Sequence, residues 1–184
     1  MGARSTRHVQ FRAPGAEAAT VHLRTQGESP DDPGRELVIA AHPDPTRDGW
    51  WSAHVEAADG DRYWFTVDGD EPAYDPHCWD LEVTAAGPCS VMRSPWERRP
   101  QGAPLSDPPV VYELHVKGFG GGYLGCIEHL DHVVDVGANV IELMPVHPFD
   151  DRGNYWGYMP LVWGAVHRNY AHRPEHAAEE LAEL

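Results

Sequence analysis

The side chains best suited to bind a ligand are aromatic rings, and the first two are Trp50 and Trp64. Each tryptophan alternates with apolar residues in a short strand-like segment, so each is expected to face away from the apolar side of its strand. An exposed flat ring can stack on the apolar C–H face of a sugar. Trp50 and Trp64 are therefore candidate glycan contacts, with packing against a neighbouring domain or loop as the alternative.

A second aromatic group occupies a predicted loop at residues 146–171. Its rings belong to Phe149, Tyr155, Trp156, Tyr158, Trp163 and Tyr170, and glycines 153, 157 and 164 interrupt it. Long loops that follow strands in barrel folds are places where ligands are held. We expect this loop to line a binding site, with burial in a loop core as the alternative for Trp156 and Trp163.

Two carboxylates, Glu113 and Glu142, lie in the middle of predicted strands, and paired carboxylates are the residues that general acid–base catalysis uses. Alternation along the strands puts Glu113 on one face with His115 and Lys117, and Glu142 on one face with Val140 and Met144. We interpret both glutamates as structural charges of their strands.

The sequence predicts no metal and no cofactor. Its 12 histidines are scattered, and the pairs His129/His132 and His172/His176 lack the HExxH arrangement of a zinc site. We interpret most of them as solvated side chains on helix faces. The three cysteines form no CxxC pair, which argues against both a disulfide framework and a zinc site.

The net charge of −15 argues against nucleic acid or an anionic membrane as a partner, because both need positive charge. No apolar run approaches the ~20 residues that cross a bilayer. The first residues, MGARSTRHVQF, contain no apolar signal segment. The expected location is the cytoplasm.

Residues 6–68 alternate apolar and polar positions in short segments separated by turn residues, a pattern typical of an antiparallel β-sandwich. Trp51, Tyr63 and Phe65 are its predicted core, and Asp59-Gly60-Asp61 is a hairpin signal. Residues 71–109 lose this alternation and are predicted to be an ordered, wrapping connector, because aromatic residues such as Trp79 and Trp96 need burial. We expect one domain at residues 1–100 and another at 101–184.

The second domain begins with a predicted βαβ unit. The strands are 110–116 and 139–145, and the helix between them is 124–136. Two strands joined by a crossover helix are parallel. A further helix is predicted to start near Pro174, which suits a first helical turn.

Three segments of this unit resemble glycoside hydrolase family 13, the α-amylase family, and best its isoamylase and glycogen-debranching branch. They are YELHVKGF (112–119), IELMPVHPF (141–149) and NYWGYMPL (154–161). Residues 6–68 are similar to the sandwich of carbohydrate-binding module family 48 that precedes such barrels. The resemblance implies an immunoglobulin-like antiparallel β-sandwich followed by the first βαβ unit of a (β/α)8 TIM barrel, truncated.

The resemblance also implies an activity that this chain does not complete. The family cleaves α-glucosidic bonds with retention, using a nucleophile and an acid–base about 5 Å apart. Those carboxylates belong to later barrel strands, so no catalytic residue is assigned here and the chain is expected to be inactive alone. The implied partner is an α-glucan: glycogen, starch or a maltooligosaccharide. The alternatives are a branching or trehalose-releasing member, or a non-catalytic glycan-binding fragment.

The resemblance also implies which residues form one wall of the substrate site. The tyrosine of the family's WGYN motif, which stacks on a sugar, is Tyr158 in this sequence. Trp156 and Tyr155 are implied to support it, and His147 is implied to lie at the exit of the second strand. Met159 departs from the family pattern, because it stands where the family usually has Asn, and so do residues 163–166.

Overall fold

The structure, a computed structural model, describes residues 3–27, 32, 34–94 and 108–184. The chain divides into two units, Met1–Ser94 and Pro95–Leu184. The boundary predicted between residues 100 and 101 lies outside the described residues and stays a prediction. Among the described residues, no helix has both the length and the apolar character needed to cross a membrane.

The described part of the first unit consists of strands in two sheets. The strands are β1 (Ser5–Arg12), β2 (Ala19–Arg24), β3 (Glu36–Ala40), β4 (His42–Pro43), β5 (Trp50–Ala57), β6 (Arg62–Val67), β7 (Leu81–Thr84) and β8 (Gly87–Val91). One sheet has the order β1-β5-β4 and the other β3-β2-β6-β8-β7. All of these pairings are antiparallel, as the sequence predicts.

The two sheets meet through the apolar side chains that alternate along each strand. Phe11 of β1 stacks on Phe65 of β6, with 4.0 Å between ring centroids. Trp51 is 8% exposed, and its Nε1–H donates to the carbonyl of Ala13 at 3.1 Å. Tyr63 is also buried, so the prediction that Trp51, Tyr63 and Phe65 fill the core is confirmed.

The turn at residues 59–61 does not form the hairpin that its sequence signals, because β5 and β6 belong to different sheets. Asp61 is fully buried and accepts hydrogen bonds from the backbone N–H groups of Ala58 (2.9 Å) and Gln26 (2.8 Å). It also pairs with the guanidinium of Arg4 at 2.9 Å. The bonds to Gln26 and Arg4 join distant parts of the chain and hold it where it crosses between sheets, so local turn residues do not encode them.

The predicted connector contains two further strands, β7 and β8, which pair with each other and extend the second sheet. The hydroxyl of Tyr63 donates to buried Asp75 at 2.7 Å, and the N–H of Asp75 donates to Ser90 in β8 at 2.7 Å. These bonds fasten the segment to the sheet. The expectation that Trp79 is buried is wrong, because its side chain is 54% exposed. Trp96 lies outside the described residues.

The second unit begins with two parallel strands and the helices between them. In order these are β9 (Val111–Leu114), α1 (Val116–Gly120), α2 (Tyr123–Glu128), α3 (Leu130–Asp135) and β10 (Val140–Leu143). The parallel pairing aligns Val111 with Val140 and Leu114 with Leu143, as predicted. The single helix predicted at 124–136 is instead two, separated at His129. The described strands of this unit form an open pair and no closed barrel.

Strand β9 ends earlier than predicted because His115 caps α1, its Nδ1 accepting the N–H of Gly118 at 3.0 Å. After the long loop the chain forms two 3-10 turns, Arg168–Tyr170 and Pro174–His176, and then α4 (Ala177–Glu183). The predicted start near Pro174 is therefore confirmed. The buried core of the unit consists of Leu114, Val116, Tyr123, Cys126, Phe149, Tyr170 and Ala177.

Candidate functional site

The loop after β10 surrounds an open cavity of about 410 Å³. Its polar and aromatic lining comes from α1, the loop and the first 3-10 turn, and consists of Lys117, Phe149, Asp151, Arg152, Asn154, Tyr155, His167 and Tyr170. The size is within the ~300–1,000 Å³ of small-molecule sites. The expectation that this loop lines a binding site stays a prediction.

His115, a residue with no predicted role in the site, contacts two residues that line this cavity, Tyr155 and Tyr170. Because its Nδ1 accepts the N–H of Gly118, the neutral ring carries its proton on Nε2 and donates it to the Tyr170 hydroxyl at 3.0 Å. Its ring centroid lies 4.7 Å from Tyr155 and 5.5 Å from Trp156. The signal in the sequence is a polar residue where a strand gives way to a helical turn.

Three of the predicted sugar-wall residues are partly exposed. Tyr155, Trp156 and Tyr158 are 50%, 54% and 56% exposed. The rings of Tyr155 and Trp156 meet edge to face at 5.3 Å, and both contact His115. Trp156 is therefore not enclosed in a loop core, and Trp163, at 72% exposed, is not either.

Asn154 fixes the backbone that carries Tyr158. Its Oδ1 accepts the N–H of Gly157 at 3.2 Å, and its Nδ2 donates to the carbonyl of Tyr158. Gly157 has φ +83°, and a Cβ there would lie 2.9 Å from the carbonyl oxygen of Pro145, so only glycine fits. Met159 has φ +65° with no such freedom, and its side chain is 85% exposed.

His147 lies apart from the other predicted wall residues. Its Nδ1 is 3.3 Å from the carbonyl oxygen of Ala165, and its ring meets Trp163 at 5.2 Å. In the part of the chain that the structure describes, it has no ring contact with Tyr155, Trp156 or Tyr158.

The floor of the cavity is uncharged at neutral pH. His167 is 3% exposed and stacks on Phe149 at 4.2 Å, and burial lowers the pKa of His167 to about 4. Burial likewise raises the pKa of Tyr170 to about 12. Lys117, Asp151 and Arg152 bring charged groups to the cavity lining. Arg152 donates to both carboxylate oxygens of Asp150 and holds the pKa of that carboxyl at about 2.

Trp50 and Trp64 do not form one surface, because β5 and β6 lie in different sheets and both rings are on the outer faces. The guanidinium of Arg47 covers Trp50 at 4.3 Å from the ring centroid. Trp64 stacks on His22 at 5.3 Å and lies 5.4 Å from the guanidinium carbon of Arg24. Both tryptophans are half-buried, so each would offer a glycan only part of a ring.

Glu113 and Glu142 are directly opposite each other in the parallel pair, and both are exposed. Their interpretation as structural charges stays a prediction. Among the described residues, no group of three or more His, Cys, Asp or Glu side chains is placed to hold a metal ion.

Comparisons with known proteins identify relatives of this chain in sequence and in structure. No family model matches the chain. It is 37% identical over 136 residues to a malto-oligosyltrehalose trehalohydrolase of Mycobacterium tuberculosis, covering 67% of this chain and 23% of the relative. It is 32% identical over 109 residues to a chloroplastic isoamylase of Zea mays, covering 49% of this chain and 14% of the relative.

The fold is also found in solved structures. A pullulanase from Anoxybacillus sp. LM18-11, crystallised with maltotriose, matches with a TM-score of 0.79 at 18% identity, over 98% of this chain and 31% of the pullulanase. The chain thus spans about a quarter of the length of the trehalohydrolase and less than a third of the pullulanase. These relationships show that the chain belongs to glycoside hydrolase family 13, the α-amylase family, and is homologous to the N-terminal portion of its members.

Proposed function

We propose that the chain is the N-terminal part of an α-glucan-processing glycoside hydrolase, and that its loop supplies one wall of the glucan site. Tyr158, Trp156 and Tyr155 are the proposed sugar contacts, with His147 at the edge of the site. The observation that carries this proposal is the aromatic pair Tyr155 and Trp156, half-exposed beside the cavity and braced by buried His115.

The chemistry of the wall suits a neutral sugar. A pyranose has apolar C–H faces that pack on aromatic rings, and hydroxyls that need donors and acceptors. Asn154, Asp151 and Arg152 offer both kinds of group around the cavity. The neutral floor formed by His167 and Tyr170 avoids placing a buried charge against the apolar face of the sugar.

Bond cleavage requires two carboxylates about 5 Å apart in the retaining mechanism of this family. None of the carboxylates in this chain matches the family's catalytic positions, so its role is substrate binding. In this proposal the unit β9–α1–α2–α3–β10 is the start of a (β/α)8 barrel, since its strands are parallel and joined by helices. The sandwich is a glycan-binding module in which Trp50 and Trp64 are the candidate contacts.

A trehalose-releasing activity of the complete enzyme is the second candidate. The observation in its favour is that the trehalohydrolase relative has 37% identity over 67% of the chain, against 32% over 49% for the isoamylase. Debranching and trehalose release both need a wall that stacks on glucose units. Assay of the longer protein on pullulan and on a maltooligosyltrehalose distinguishes the two activities.

Affinity electrophoresis of the 184-residue chain through gels with and without glycogen tests the binding proposal. We expect glycogen to retard the native chain and the variant Trp156→Ala to lose most of that retardation. Trp79→Ala is the matched control, because Trp79 is equally exposed at 54% but lies in the first unit. Equal retardation of native chain and Trp156→Ala would remove the loop from the proposal.

The same gels test the sandwich. Retardation that survives Trp156→Ala but disappears in Trp50→Ala or Trp64→Ala would assign binding to the first unit instead. A native chain that glycogen does not retard would contradict glycan binding by both units.

A further inference from the structure

The outer face of the first sheet carries two histidines placed side by side. His8 of β1 is directly opposite His54 of β5 in the antiparallel register. Their rings are stacked, with 4.7 Å between centroids and 18° between planes. Both side chains are exposed, and in the described chain neither imidazole has a hydrogen-bond or ion-pair partner. Hydrogen bonds and ion pairs to the described residues therefore do not occupy the ring nitrogens of this pair.

We propose that His8 and His54 form a chelating site for a divalent transition-metal cation on this face. A neutral imidazole nitrogen is a good ligand for Cu²⁺, Ni²⁺ and Zn²⁺. With metal–nitrogen bonds of about 2.0–2.1 Å, two imidazoles on one ion bring their nitrogens to about 3 Å apart. Side-chain rotation alone closes that distance from the observed stack, because the two strands already hold the rings together.

The surroundings favour a cation. The chain has a net charge of −15, which raises the local concentration of cations. Glu56 and Thr6 are the next pair of opposed residues on the same face. The hydroxyl of Thr6 donates a hydrogen bond to the carboxylate of Glu56. The protein supplies two ligands and water completes the coordination, so the order of affinity follows the intrinsic one, with Cu²⁺ tightest.

The other closely spaced histidines are arranged differently. His129 ends α2 while His132 lies within α3, and Nδ1 of His129 is engaged by the carbonyl oxygen of Gly125 at 2.7 Å. His176 is flanked by two glutamates, each 4.0 Å away. Among the described histidines, His8 and His54 are the pair whose rings the register of two neighbouring strands holds side by side in a stack.

Calorimetric titration of the full 184-residue chain with CuCl₂ in a non-coordinating buffer tests the site. We expect one high-affinity site, about 10²-fold tighter than the remaining single-histidine binding, because the second imidazole binds intramolecularly. His8→Ala and His54→Ala should each abolish that site, and the double variant should bind no more weakly than either. The electron paramagnetic resonance spectrum of the one-equivalent complex should show two nitrogen ligands.

Two variants keep the test decisive. His54→Phe preserves a ring stacked on His8 while removing the ligand, so it should lose the site with an unchanged circular dichroism spectrum. His42→Ala removes an exposed histidine of the same sheet, opposite Ser52 rather than His8, and should leave the site intact. Cu²⁺ affinity in His54→Phe equal to that of the native chain, or loss of the site in His42→Ala, would overturn the assignment.

Discussion

The Nε2 atom of His115 lies 3.0 Å from the hydroxyl oxygen of Tyr170, and both side chains are buried. The two residues are far apart in sequence, at the end of β9 and in the first 3-10 turn. Their hydrogen bond closes the loop of residues 146–171 back onto the strand pair. The ring of His115 then faces Tyr155 and Trp156, so the same histidine that anchors the loop also positions the proposed sugar wall.

Removing the acceptor of this hydrogen bond should destabilise the second unit. Tyr170→Phe leaves the Nε2–H of buried His115 without a partner, which costs about 1–3 kcal/mol of unfolding free energy. Urea unfolding followed by tryptophan fluorescence measures the change. Tyr158→Phe, which removes an exposed hydroxyl, is the control and should change the free energy by less than about 0.5 kcal/mol. Equal stability of both variants would mean that the bond contributes little.

The elements that the sequence predicts correctly are those that a local pattern of apolar and polar residues encodes. Trp51, Tyr63 and Phe65 follow the two-residue period of a strand and are buried together. The parallel pairing of β9 with β10 follows from an apolar strand on each side of a helical segment. In both cases the information is local, and burial of one apolar face decides the outcome.

The parts that the sequence does not predict depend on contacts between distant residues. The carboxylate of Asp61 binds Gln26 and Arg4 and so holds the segment that crosses between the sheets. The turn residues 59–61 alone do not indicate either partner. His115 acquires its place in the site from Tyr170 in the same way. His147 follows β10 in the chain, as expected, and its contact with the ring of Trp163 is a further detail that the motif does not specify.

Replacing Met159 by asparagine, the residue that the family usually has there, should relieve strain in the backbone. Met159 has φ +65°, a left-handed conformation that costs most side chains roughly 1–2 kcal/mol and asparagine less. Met159→Asn should therefore raise the free energy of unfolding by about 1 kcal/mol, measured by urea denaturation. Because the side chain is 85% exposed, little packing is lost. Met159→Leu retains the strain and should match the native chain; an equal gain in both variants would point to another cause.

Stability of the second unit should fall on acidification because of His167. Burial lowers the pKa of His167 to about 4, whereas the unfolded chain has an ordinary histidine pKa of about 6.5. A lowered folded-state pKa means that the stabilisation is fully present above about pH 6.5 and is lost as the pH falls toward 4, a difference of about 3 kcal/mol.

Urea unfolding at pH 7.5 and 4.5 measures this loss. His167→Phe keeps an aromatic ring against Phe149 but cannot be protonated, so its free energy should fall less than that of the native chain over the same range. His172→Ala, at an exposed position, should keep the native dependence. Parallel pH profiles for native chain and His167→Phe would show that other groups cause the acid sensitivity.

Asp61 should be among the most sensitive polar positions of the first unit. Its fully buried carboxylate accepts the N–H groups of Ala58 and Gln26 and pairs with Arg4. Asp61→Ala leaves two buried backbone donors without an acceptor, while the Arg4 guanidinium keeps its hydrogen bond to the carbonyl of Glu56. At about 1–3 kcal/mol for each unsatisfied donor, the unfolding free energy should fall by about 2–6 kcal/mol. Thermal unfolding followed by circular dichroism measures the effect, with exposed Asp48→Ala as the control. A fall as small as that of the control would mean that water replaces the carboxylate, and that the crossing between the two sheets is held by the packing of Phe11 against Phe65 instead.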